Sequence, residues 1–164
     1  MKFQNSREYQ HLISKSYYAL AVLPLLIFTW VYLEMKHRDL IPVLQDANAD
    51  LTSGVLGILL LGSFIFPFYY FRKHIDLPMK QPTLRKKLES VSKLYLKFYM
   101  ALSVGMYVAT AGYYLTQVWF FGLGFMLLIF LYSFYRPTPE KFSKDLRLPK
   151  DQRDAILNFH TISE

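Results

Sequence analysis

The sequence predicts an all-α integral membrane protein, a four-transmembrane-helix bundle built from two hairpins with both termini in the cytoplasm. Three observations lead there. The first is an uncharged run of 38 residues, from position 98 to position 135. One helix of that length would reach about 57 Å, nearly twice the roughly 30 Å apolar core of a bilayer. The run must therefore fold back on itself. The second is a pair of shorter uncharged runs, 16–33 and 51–71, each close to one span in length. The third is the distribution of Lys and Arg. With both termini inside, 17 basic residues lie on the inner side (3 in the N-terminal arm, 8 between spans 2 and 3, 6 in the tail) and 2 on the outer side. That asymmetry is the positive-inside pattern.

The spans fall at about 17–33, 53–71, 98–115 and 118–135. They form a transmembrane domain over 1–135, followed by a short cytoplasmic helical tail over 136–164. Tyrosines near the inner ends (Tyr17, Tyr18, Tyr69, Tyr70, Tyr95, Tyr99, Tyr132, Tyr135) and aromatic residues near the outer ends (Trp30, Tyr32, Tyr113, Tyr114, Trp119) form the two interfacial belts. In a chain of 164 residues this leaves no soluble segment long enough to bury its own core. The first apolar run is read as a retained span. It contains Pro24 and leads into Trp30, Tyr32 and Glu34 rather than a small-residue cleavage site.

Taken in order, Asn5 with Glu8 fits a capping box, and a helix starting there can run unbroken into span 1. Pro24 removes one backbone donor in mid-span, which predicts a kink and leaves the carbonyl of Leu20 without its helical partner. Residues 34–53 read as the long outer loop. Its apolar stretch Leu40-Ile41-Pro42-Val43-Leu44 is too short to cross, and caps the bundle or lies on the outer surface. Asp46, Asn48 and Asp50 imitate the start of a calcium loop. Leu51 and Gly57 then stand where glycine and glutamate are needed, so no calcium site is expected. Span 2 carries Gly54, Gly57, Gly62 and Ser63, small enough for close helix approach, and then Pro67. The helix breaks at Ile75-Asp76-Leu77-Pro78.

Pro82 and Thr83 start the most patterned element. Leu84, Leu88, Val91, Tyr95, Phe98, Leu102, Gly105, Ala109 and Gly112 follow alternating steps of four and three, a heptad seam. Its first half is large, suited to a helix of the same chain or of a second copy. Its second half is small, and Ala101, Gly105, Ala109 and Gly112 are the candidate helix-packing residues. Beside the seam lie Arg85, Lys86, Lys87, Lys93 and Lys97, the candidate contacts to anionic lipid. The same residues would also serve as a plain topology signal. Glu89 and Lys93 are placed to pair at i,i+4. Thr116 and Gln117 mark the tight outer turn. In the tail, Thr138-Pro139-Glu140 reads as a helix cap, first residue and acidic second residue, with the helix running to about Leu146. Pro149 and Asp151 open a weaker stretch with Ile156, Leu157 and Phe159 as contacts.

Composition and spacing exclude several functions. There is no cysteine, hence no disulfide, thiol chemistry or thiolate metal site. The span interiors carry no ionisable group of the kind that marks proton pathways and intramembrane active sites. His11, His37, His74 and His160 all lie outside the spans, so no histidine pair clamps a haem. No catalytic, cofactor-binding or metal residue is expected. The net charge of +7 serves topology rather than nucleic acid, since the basic residues gather at span ends. The expected function is a non-enzymatic scaffold, anchor or regulatory subunit of a bacterial inner (plasma) membrane. Its expected partners are membrane lipids, anionic ones among them, and a protein partner or a second copy. The alternative is a small homo-oligomeric channel with an uncharged lumen.

Overall fold

A computed structural model describes residues 6–38 and 47–150. The element order is α1 (Ser6–Arg38), α2 (Ala47–His74), α3 (Asp76–Met79), α4 (Leu84–Thr116), α5 (Trp119–Phe134) and α6 (Pro139–Asp145). Among the described residues there is no strand. Three helical stretches are long and apolar enough to cross a membrane: His11–His37, Asp50–Met79 and Leu84–Thr116. The last apolar helix, α5, has 16 residues and spans about 24 Å. It makes a fourth candidate when it is counted together with α6. Its shortness has local causes. Gln117 with φ 54° and extended Val118 occupy its beginning. Arg136 and Pro137 end it, since proline disfavours helix in the residue before it and cannot donate.

Two boundaries differ from the sequence reading. The connection read as the outer loop is shorter than 34–53, because α1 continues to Arg38 and α2 begins at Ala47. A helix that leaves the apolar region keeps its backbone groups bonded, so a polar sequence alone does not stop it. Asp50 therefore belongs to a helix, while Asp46 and the 40–44 stretch lie outside the described residues. The break after α2 is a single residue, Ile75, since Asp76–Met79 is itself a helical turn. Asn5, Ile156, Leu157 and Phe159 also fall outside the described residues.

The caps follow local chemistry. The Thr83 hydroxyl accepts from the Lys86 amide at 3.4 Å, and the Thr138 hydroxyl from the Lys141 amide at 3.3 Å. At the end of α4 the Gln117 amide donates to the Tyr113 carbonyl at 2.9 Å, a left-handed cap. After α6 the Arg147 amide reaches Lys144 and the Leu148 amide reaches Ser143, both at 3.1 Å. This is a Schellman pattern whose left-handed position, φ 48°, is held by arginine rather than glycine.

The chain forms two compact units. Among the described residues, one comprises 6–18, 68–98 and 136–150, the other 19–38, 47–67 and 99–135. In the first, Tyr95 is fully buried between Phe71 and Phe142, each edge-on with centroids at 5.0 Å. Its hydroxyl donates to the Asp145 carboxylate. Phe98 meets Phe68 and Phe71 at 5.3 and 5.5 Å. In the second, Leu60, Leu102, Met106, Ala109, Phe121, Phe125 and Leu128 are buried, and Phe28 stacks on Phe125 at 3.9 Å. Pro24 is buried within α1. The Ser103 hydroxyl donates to the Leu20 carbonyl at 3.0 Å, and the Tyr99 hydroxyl to the Tyr135 carbonyl at 2.8 Å.

Candidate functional site

The seam of α4 lies inside. Leu88, Val91, Tyr95, Phe98, Leu102 and Ala109 are all at most 2% exposed. Gly105 and Gly112 are buried, while Leu84 and Ala101 are half-buried. The large half of the seam packs on α2 and α6 of the same chain, through Phe71 and Phe142. In the small half, a methyl group added at Gly105 would sit 2.7 Å from the Ser63 Cβ, and one at Gly112 would sit 2.7 Å from the Phe121 Cγ. Gly124 on α5 receives Leu60 of α2 in the same way, 2.6 Å from the leucine Cδ2. These glycines let side chains of neighbouring helices approach the helix backbone.

The five basic candidates separate into two groups. Lys93 and Lys97 line a groove of about 160 Å³, whereas Arg85, Lys86 and Lys87 do not. The groove lies between the end of α2, the turn α3 and the beginning of α4. Tyr70 and His74 of α2 and Ser90, Lys93 and Lys97 of α4 give it polar groups, while Leu77 and Pro78 of α3 and Leu94 between the two lysines give it apolar surface. Tyr70 and His74 stack at 4.1 Å, and the histidine Nδ1 is 2.8 Å from the Tyr70 carbonyl. A carbonyl can only accept, so Nδ1 carries the proton of this bond. The Lys97 ammonium donates to the Tyr70 hydroxyl at 3.1 Å and lies 5.6 Å from the ring centroid. Lys93 pairs with Glu89 at 3.1 Å. The sequence reading placed Tyr70 in the inner aromatic belt and His74 outside the spans, joined neither to the lysines, and did not single out Ser90. One signal was available: Ser90, Lys93, Leu94 and Lys97 recur at i, i+3, i+4 and i+7, a single helix face.

A second cavity, about 410 Å³, is apolar. It is lined by Leu25, Phe28, Thr29 and Tyr32 of α1, Tyr113 of α4, and Gly122, Phe125 and Met126 of α5. Its one aliphatic hydroxyl, on Thr29, already donates to the Leu25 carbonyl at 2.8 Å. The phenols of Tyr32 and Tyr113 add to that hydroxyl, and the rest of the lining is an apolar chain surface. Among the described residues, no group of three or more metal-ligating side chains occurs.

Comparison with known protein families, with characterised proteins and with solved structures gives no match.

Proposed function

We propose that this multi-pass membrane protein is a non-enzymatic scaffold, anchor or regulatory subunit of a bacterial inner membrane. In this reading the four spans form two hairpins, both termini are cytoplasmic, and the basic segment between spans 2 and 3 meets the anionic inner leaflet. What supports the reading is the uneven burial of the long helices. The apolar window of α4 is 56% buried, whereas those of α1 and α2 are 17% and 11% buried. On α2, methyl groups added at Gly54 or Gly62 would meet nothing within 4 Å. Glycine costs roughly 1 kcal/mol against alanine in a helix interior. Lipid tails gain nothing from it, but an approaching helix backbone does. The α2 face is thus suited to a helix of a partner subunit.

The test is purification from native membranes in mild detergent. A stoichiometric partner is expected, and Gly62→Leu should lose it while keeping the thermal stability of the purified chain. A lone homo-oligomer that passes ions when reconstituted into vesicles would replace this reading with a channel.

A further inference from the structure

We propose that the groove between the end of α2, α3 and the beginning of α4 binds the phosphate headgroup of one anionic phospholipid molecule. The proposal rests on the reading that this segment faces the cytoplasmic leaflet, and it narrows a basic surface to one built site.

The polar groups of the groove supply the recognition. Lys93 and Lys97 contribute two ammonium groups and Ser90 a hydroxyl, and no acidic side chain lines the groove. Charge-assisted hydrogen bonds from ammonium to phosphate are the strong kind. Lys97 is held in place by the Tyr70 hydroxyl and ring, so less freedom is lost when it takes an anion. The bond from Lys93 to Glu89 competes. It joins exposed groups, with 66% of the lysine side chain and 36% of the glutamate accessible, and pairs of that kind are weak. Across residues 72–97 there are eight Lys and Arg against Asp76 and Glu89, so the surrounding field also favours an anion.

The apolar residues of the groove select the source of the phosphate. A soluble phosphate makes no use of Leu77, Pro78 and Leu94. The glycerol and first methylenes of a lipid do. Leu77 is 56% exposed on the short turn α3, between the basic end of α2 and the basic start of α4. An exposed leucine among cations matches the boundary between headgroups and acyl chains. A volume of about 160 Å³ admits a headgroup and excludes a helix.

The test compares wild type, Lys93→Gln, the Lys93→Gln/Lys97→Gln pair and the Arg85→Gln/Lys86→Gln/Lys87→Gln triple. Each is placed in phosphatidylcholine nanodiscs with and without phosphatidylglycerol, and separately with inorganic phosphate. Native mass spectrometry reads retained lipid, and thermal unfolding reads stabilisation. Wild type should retain one phosphatidylglycerol per chain and be stabilised by it. Each lysine removed from the groove should weaken that affinity about fivefold. The triple should stay within about twofold of wild type, although it loses more charge. Lys93→Gln should unfold as wild type does in phosphatidylcholine alone, which separates lost binding from lost folding. Equal losses in the triple and the pair would overturn the groove in favour of a diffuse basic surface. Equal stabilisation by inorganic phosphate would overturn the lipid, and so would retention of phosphatidylglycerol no greater than of phosphatidylcholine. A single cysteine at Lys80, labelled from outside intact cells, would instead overturn the orientation beneath the proposal.

Discussion

Ser103 hydrogen-bonds the backbone oxygen of Leu20 at 3.0 Å, and Leu20 is the residue whose helical donor is removed by Pro24. In the apolar part of a bilayer no water takes the place of a missing donor, so a freed carbonyl must find a protein group. Ser103 is 3% exposed and supplies one. Ser103→Ala should destabilise the protein by about 1 kcal/mol, the scale of interhelical hydrogen bonds in membranes. In a Pro24→Ala background residue 24 regains its amide, and the same serine change should cost much less. A double-mutant cycle on reversible unfolding in detergent measures the difference. Additive effects would mean that proline and serine act independently.

How much of this was legible in sequence varies with the range of the interaction. The freed Leu20 carbonyl follows from Pro24 alone. Its donor lies 83 residues away, and no local rule reaches that far. The seam of α4 was legible because its period is local, but its neighbours Phe71 and Phe142 were settled only by tertiary packing. Lys93 and Lys97 could be placed on one face with Ser90. Tyr70 and His74 join them only because the end of α2 lies against α4. The connection between α1 and α2 was overestimated because charged residues were taken to end helices that continue through them.

Four glycines should rank by what a methyl group would strike. At Gly112 it meets the rigid ring of Phe121, and at Gly105 the Cβ of Ser63. At Gly124 it meets only the far end of Leu60, and at Gly54 nothing within 4 Å. Overpacking costs roughly 1–3 kcal/mol. Gly112→Ala and Gly105→Ala should fall in that range and Gly124→Ala below it. Gly54→Ala should be neutral or stabilise by up to about 1 kcal/mol. Thermal unfolding of the four purified variants checks the order. A Gly54 variant as unstable as the Gly112 variant would contradict it.

Orientation is open to a clean test because the chain has no cysteine. Single cysteines at Lys2 and His160 should resist a membrane-impermeant maleimide in intact cells and react once the membrane is opened. Reaction at either position from outside would reverse the positive-inside assignment.

The arginine at the end of α6 predicts a gain. Arg147 holds φ 48° in a Schellman pattern, a conformation that costs an ordinary residue about 1–2 kcal/mol and glycine almost nothing. Part of the gain is returned because glycine is freer in the unfolded chain. Arg147→Gly should therefore stabilise the packed tail by about 0.5–1 kcal/mol. Slower hydrogen exchange at the Leu146 and Leu148 amides is the expected signature, and faster exchange would show that the arginine side chain matters more than its backbone.

The last prediction concerns pH and the same helix. Lys141 is half-buried on α6. Burial pushes its pKa below the ordinary lysine value, and the carboxylate of Asp145 opposes that shift only in part. The unfolded tail therefore binds this proton more tightly than the folded one does. Below the depressed value the lysine is charged in both states, and the cost of burying the charge is fully present. As pH rises toward the ordinary lysine value the folded form loses its proton first, and that cost disappears. Stability from this group thus increases with pH across the interval. Partial exposure keeps the effect small. Lys141→Met, which keeps the apolar stem, should be the more stable protein near pH 7, with an advantage that shrinks toward about pH 10. Thermal unfolding of both proteins across that range, compared as a difference, isolates Lys141 from the other titrating groups. A difference that stays constant with pH would show that the lysine titrates alike in the folded and unfolded tail.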